Sequence, residues 1–188
     1  MTAIVRNVVA RIPDCEGAYY LLVRTLFASG QFQEVAVVAE RAIEASGNDY
    51  NIYVPILNAL DALGKTEASK NIRQRALQVI EAHLHKVPED ARARILLGCY
   101  YAMEAREEDA LRETNLAMQL RPNDPMVLYN AACIFSTIQK KPEALDALSK
   151  AWRAGFRDPD WVRRDTSLSL LHGDPEFEKL YPAKPTAS

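Results

Sequence analysis

The sequence lacks an excess of charge of either sign: 23 Lys and Arg stand against 25 Asp and Glu, for a net charge of -2. That balance gives no strong field to draw the chain to an acidic membrane. Arg163-Arg164 is the one notable basic pair in the tail, and the other basic residues are spread out, so no nucleic-acid partner is expected. Cysteine is scarce. Cys15, Cys99 and Cys133 are odd in number and far apart, which excludes a disulfide framework. No Cys-x-x-Cys or Cys/His cluster points to zinc. β-Branched residues are scattered and do not alternate, so no strand pattern emerges. No stretch approaches the roughly 18 apolar residues of a membrane span, and the N-terminus has no apolar signal core, so a cytoplasmic location is expected. P-loop, GxSxG, HExxH and Cys/His nucleophile patterns are all absent, so neither catalysis nor a cofactor is expected. Glu81 and His85 share a helix face, but His83 points elsewhere and is expected to pack against a neighbouring helix, not to bind metal. The carboxylates Glu104, Glu107, Glu108 and Asp109 lie near Arg106 and Arg112 and read as a solvated turn.

What the chain does have is apolar residues, 48% of 188, arranged at helical spacing. The organising stretch is Ala91–Asp124, which reads as two helices paired in a hairpin. Leu97, Gly98 and Tyr101 mark its first helix, Ala110 and Ala117 its second, and Pro122 its exit. Small residues let paired helices approach closely while Leu97 and Tyr101 fill the gaps beside them. The arrangement recurs. Gly30 plus 34 is Gly64, Ala42 plus 34 is Ala76, and Arg94, Leu97, Gly98 and Tyr101 plus 34 are Leu128, Ala131, Ala132 and Phe135.

Four repeats follow, at about 16–49, 50–90, 91–124 and 125–158. Tyr19, Leu22, Val23 and Leu26 line the first helix of repeat one, and Val35, Ala39, Ala42 and Ile43 its second. Tyr53, Ile56, Leu57 and Leu60 line the first helix of repeat two, where Pro55 predicts a small kink. From Gly64 to its counterpart Ala105 is 41 residues, 34 plus seven. Seven residues rotate a helix face by only roughly 20°. A lengthened second helix is therefore expected from about Thr66 to Val87, with a stripe of Ile72, Ala76, Ile80 and Leu84 joined by Val79. Ala144, Leu148, Ala151 and Trp152 line the last second helix. Residues 1–15 read as a helix resembling the second half of an incomplete repeat, with an apolar face open to self-association. Residues 159–181 carry Trp161, Leu168, Leu170, Leu171, Phe177 and Leu180, too many large apolar groups for a solvated tail, and are expected to form capping helices. Residues 182–188 are expected to be disordered.

The residues of 16–158 resemble the tetratricopeptide repeat (TPR) family, whose 34-residue helix pair has this pattern. The tail, GFRDPDW…RRD…LHGDPEFEKL, together with YNAACIF at 129–135, resembles the end of TPR regions attached to bacterial signalling proteins such as adenylate cyclases and serine/threonine kinases. The TPR resemblance implies an all-α right-handed solenoid of helix hairpins, with first helices lining a concave groove that holds a protein or peptide partner. Positions two, five, nine and twelve of each repeat would face it. Those positions and their neighbours supply Tyr20, Arg24, Phe27, Asn51, Asn58, Arg92, Cys99, Tyr129, Asn130 and Cys133 as the expected partner-binding residues. Amides and guanidiniums suit a peptide backbone or carboxylate, and aromatics suit apolar anchors. Of the clamp by which some family members hold chaperone tails, only Arg92 has a counterpart here, so that ligand is not expected. The expected role is a non-catalytic protein-binding module; a regulatory or oligomerisation segment of a larger signalling protein is the alternative.

Overall fold

In the computed structural model, Arg11 and residues 17–182 are described; the expected N-terminal helix and the tail 183–188 lie outside them, apart from Arg11. The described residues contain helices and no strand. They fall into two compact units, 1–83 and 84–188.

In the first unit, α1 is Ala18–Ala28, α2 is Phe32–Ser46, α3 is Tyr53–Ala62 and α4 is Thr66–Leu84, whose last residue crosses into the second unit. The α1–α2 hairpin packs together, and both helices touch α3. Their contact surfaces are the expected ones: Tyr19, Leu22, Val23 and Leu26 on α1 and Val35, Ala39, Ala42 and Ile43 on α2 are all buried. Pro55 sits at the third position of α3, soon after a 3-10 turn at Tyr50–Ile52, where its missing N–H falls among those that a helix start leaves open. Arg75 reaches from α4 to Glu40 on α2 at 2.6 Å. The His83 ring packs 5.0 Å from the Tyr50 ring.

Helix α4 has 19 residues, against 13 to 15 in α2 and in the two second helices described below. It ends at Leu84, three residues before the expected Val87. The stripe of Ile72, Ala76, Ile80 and Leu84 is buried, but Leu77 and not Val79 completes it.

In the second unit, α5 is Ala91–Met103, α6 Glu107–Leu120, α7 Pro125–Thr137 and α8 Lys141–Arg153. Two hairpins, α5–α6 and α7–α8, stack through contacts of α7 with α5 and α6. Aspartates start the first helices: Asp90 accepts from the Arg92 and Ala93 N–H groups, Asp124 from those of Met126 and Val127, each bond about 3 Å. Each satisfies two donors that a helix start otherwise leaves open. Gly98 is a point of close approach. A Cβ there would lie 2.8 Å from Thr114 Oγ1 and 3.2 Å from Ile134 Cδ1. Arg94 and Glu113 tie α5 to α6 at 2.5 Å, both largely buried.

The chain then forms a short helix α9, Pro159–Val162, a 3-10 turn over Thr166–Leu171, and α10, Pro175–Leu180. The 3-10 turn packs on α7 and α8, and α10 on α8. Val162, Leu168, Leu171, Phe177 and Tyr181 are fully buried. Trp161 is the exception to the expected cap: it stands 56% exposed.

Candidate functional site

The expected partner-binding residues divide between the two units. In the first, Tyr20, Arg24 and Phe27 come from successive turns of α1. The Arg24 guanidinium lies 5.6 Å from the Tyr20 ring centre, and Phe27 packs against Phe32 at 5.4 Å. Arg24 and Asn58 are exposed, while Tyr20, Phe27 and Asn51 are half-buried. The Asn51 side chain donates to Asp49 at 2.9 Å, which helps close the 3-10 turn before α3. This surface is a mixture of aromatic, guanidinium and amide groups.

In the second unit the residues separate into two groups. Arg92 is exposed and Asn130 half-buried, and both line a hollow of about 600 Å³ at the starts of α5 and α7. Its lining includes the apolar Ile95, Leu96 and Val127, with Met126 beside them at 52% exposure. Arg121 adds a second guanidinium. Asn130 donates one amide hydrogen to the Met126 carbonyl at 2.8 Å, which fixes the orientation of the amide at the edge of the hollow.

The other group, Tyr129 and Cys133, is covered. They are 4% and 8% exposed. The Tyr129 hydroxyl donates to Asp165 Oδ2, and the Cys133 thiol points to the same oxygen at 3.7 Å. The Tyr129 ring stacks on Phe156, centroids 4.2 Å apart. Ser167 turns both its backbone N–H and its hydroxyl to Asp165 Oδ1. Burial raises the Tyr129 pKa, reinforced by Cys133 and Asp165, so the phenol stays a donor. Burial likewise holds the Cys133 thiol well above its ordinary range, with Asp165 adding to the shift. Cys99, half-buried on α5, is pushed up to about 12 by burial and by Asp165. The direction of both shifts is that of thiols that react slowly while they stay covered. Both are free.

Asp165 and Phe156 are not among the expected site residues. The signal available is Asp165 followed two residues on by Ser167, a turn-forming pair. It locates the 3-10 turn but does not say which helix face the carboxylate meets. Among the described residues, no group of three His, Cys, Asp or Glu is placed to hold a metal ion. No helix among them is long and apolar enough to cross a membrane.

No protein-family model matches the chain. A chloroplastic protein of Arabidopsis thaliana is 29% identical over 86 residues, 44% of this chain; the match spans about a quarter (26%) of that protein's length. Among solved structures, TTC0263, a TPR protein of Thermus thermophilus, superposes with a TM-score of 0.66 at 21% identity, over 90% of this chain and 88% of that one. MamA of Desulfovibrio magneticus superposes at 0.56 with 18% identity, over 81% and 82%. At these identities the likeness concerns the backbone, and with the 34-residue recurrence it establishes that the chain has an all-α TPR fold.

Proposed function

We propose that the protein is a non-catalytic interaction module that holds a segment of a partner protein on the exposed faces of its first helices. The TPR fold supports the general class. The observation that carries the finer reading is the hollow beside Arg92 and Asn130, which combines apolar lining with guanidinium, amide and carboxylate groups. Such a mixture can anchor one apolar side chain and hydrogen-bond the backbone beside it. The Tyr20, Arg24 and Phe27 surface of the first unit supplies the same chemistry in a more open form. Tyr129 and Cys133 drop out of the partner-facing set because they are buried.

The test is selection from a random peptide library on the intact chain, followed by titration against N130A/M126A and Y20A/R24A variants. Selected peptides should lose about tenfold or more in affinity on one of these double variants, as hot-spot truncations do. Peptides that bind both variants as well as the parent overturn the assignment.

A second reading is a regulatory or oligomerisation segment of a larger signalling protein, for which Leu21 at 52% and Val37 at 76% exposure offer apolar groups to a second copy. Sedimentation across a concentration range separates the two, since a peptide receptor sediments as one species throughout.

A further inference from the structure

The Tyr129–Cys133 face of α7 presents two donors one turn apart, and their common acceptor does not come from α7 itself. The acceptor is Asp165, from 36 residues beyond Tyr129. Its carboxylate takes four donors, two from α7 and two from Ser167, while Phe156 stacks on the ring beside it. A cap that merely covers apolar surface has no use for this. Leu168 and Leu171 already fill that role, fully buried, and a carboxylate brought out of water costs free energy unless it is matched by donors. The donors are in place: two hydroxyls, a backbone N–H and a weaker thiol, all directed at the carboxylate oxygens.

We infer that the Tyr129–Cys133 face of α7 is a carboxylate-binding site filled in cis by Asp165, so that residues 156–167 act as a built-in peptide ligand that closes this face to outside partners. The site takes a segment that offers an aromatic ring and a carboxylate together. Its occupant is fixed by further bonds: Arg163 holds Glu178 and the Tyr181 carbonyl at 2.7 Å each, and the Tyr181 hydroxyl donates to the Phe156 carbonyl at 3.1 Å. The closure is therefore the resting state of the molecule. It rests on the reading of first-helix faces as partner-binding surfaces, and because its test uses the chain's own segment as the ligand, it can fail while that reading stands.

The test uses the full chain with Cys15→Ser throughout, so that Cys99 and Cys133 alone report. Two readouts are taken: the rate of labelling by a soluble thiol reagent, and binding of a fluorescent peptide with the sequence of residues 156–171. The parent should label slowly and ignore the peptide. Asp165→Ala should label about tenfold faster and bind the peptide, while a peptide carrying Asn at the Asp165 position should bind about tenfold more weakly, as expected for loss of a hydrogen bond to a charged group. Sodium acetate, but not acetamide, should slow labelling of Asp165→Ala. Unchanged labelling in folded Asp165→Ala, or equal binding or no binding of the two peptides, overturns the inference. If Asp165→Ala loses its helical circular dichroism, Tyr129→Phe replaces it in both readouts; labelling there should rise a few-fold, and a rate equal to the parent's overturns the inference.

Discussion

The Tyr129 hydroxyl gives its hydrogen to the carboxylate of Asp165, so a first-helix residue that the repeat pattern assigns to a partner is bonded within the chain. Removing that donor leaves the carboxylate with one fewer partner in a half-buried place. Tyr129→Phe should therefore cost about 1.5–3 kcal/mol, the usual worth of a hydrogen bond to a charged group. The Phe156 stack is retained in that variant, which isolates the hydroxyl. Urea unfolding followed by circular dichroism measures the loss; a midpoint equal to the parent's would show that the bond contributes nothing.

The turns between paired helices give a second expectation. Gly30, Gly64, Ala105 and Gln139 occupy the same slot in successive repeats, and all four have positive φ, 72°, 66°, 57° and 62°. In each, the next residue's N–H returns to a carbonyl five residues back, as from Gln31 to Leu26 and from Arg106 to Tyr101, at 2.9 Å in both. This is the Schellman closure of a helix end. An L side chain in the left-handed region costs about 1–2 kcal/mol, partly offset because glycine loses more entropy on folding, about 0.5–1 kcal/mol. Ala105→Gly and Gln139→Gly should each stabilise by about 0.5 kcal/mol, and Gly64→Ala should destabilise by a similar or larger amount. No atom lies near enough to Gly64 to clash with a Cβ, so the effect is purely conformational. Chemical denaturation of the three variants checks both signs.

These turns show what is legible in the sequence and why. The 34-residue recurrence, the buried rows of Tyr19, Leu22, Val23 and Leu26 and of Leu128, Ala131, Ala132 and Phe135, and the equivalence of Gly64 with Ala105 all follow from local periodicity, which residue order records directly. Asp124, Asp158 and Asp174 open helices because an aspartate before proline caps with a side chain two or three residues from its target. What periodicity does not record is a contact between elements whose spacing follows no repeat. Asp165 meets Tyr129 through an irregular segment, so the burial of Tyr129 and Cys133 has no counterpart in the pattern. The exposure of Trp161 has the same origin: a four-residue helix is too short for an apolar stripe to fix which side faces inward. Spacing alone overextends α4 to Val87, because an apolar residue before Pro88 keeps the helical pattern going.

Acid should loosen the cap. Arg163 holds the Glu178 carboxyl below its ordinary range, helped by the Gly173 N–H, and Lys141 does the same for Asp174, helped by the Glu176 N–H. A folded-state pKa lowered in this way adds stability that is present above the ordinary carboxylate pKa and is lost as pH falls through the lowered value. The cap contacts should therefore weaken below about pH 4. Trp152 meets Tyr181 edge-on at 5.1 Å, which makes its fluorescence a reporter of this contact. Its emission should shift as the pH falls through this range. In Glu178→Gln, which cannot ionise, the part of the shift due to this pair should be missing.

Gly98 carries the sharpest steric expectation. In a helix interior alanine is favoured over glycine by about 1 kcal/mol, so propensity alone says that Gly98→Ala stabilises. The neighbours say otherwise. The new methyl would lie 2.8 Å from Thr114 Oγ1, and that hydroxyl is held in place by its 2.7 Å bond to the Ala110 carbonyl. Ile134 Cδ1 at 3.2 Å and the Ala110 oxygen at 3.4 Å crowd the same methyl from other sides. Overpacking of a tight core typically costs about 1–3 kcal/mol, which exceeds the propensity gain, so α5 and α6 must part and the variant should be destabilised. Thr114→Ala removes the nearest atom. In that background the same Gly98 substitution should cost less, with a coupling of about 1 kcal/mol between the two positions in a double-mutant cycle. Additive effects would show that the approach of α5 to α6 is not limited by this contact.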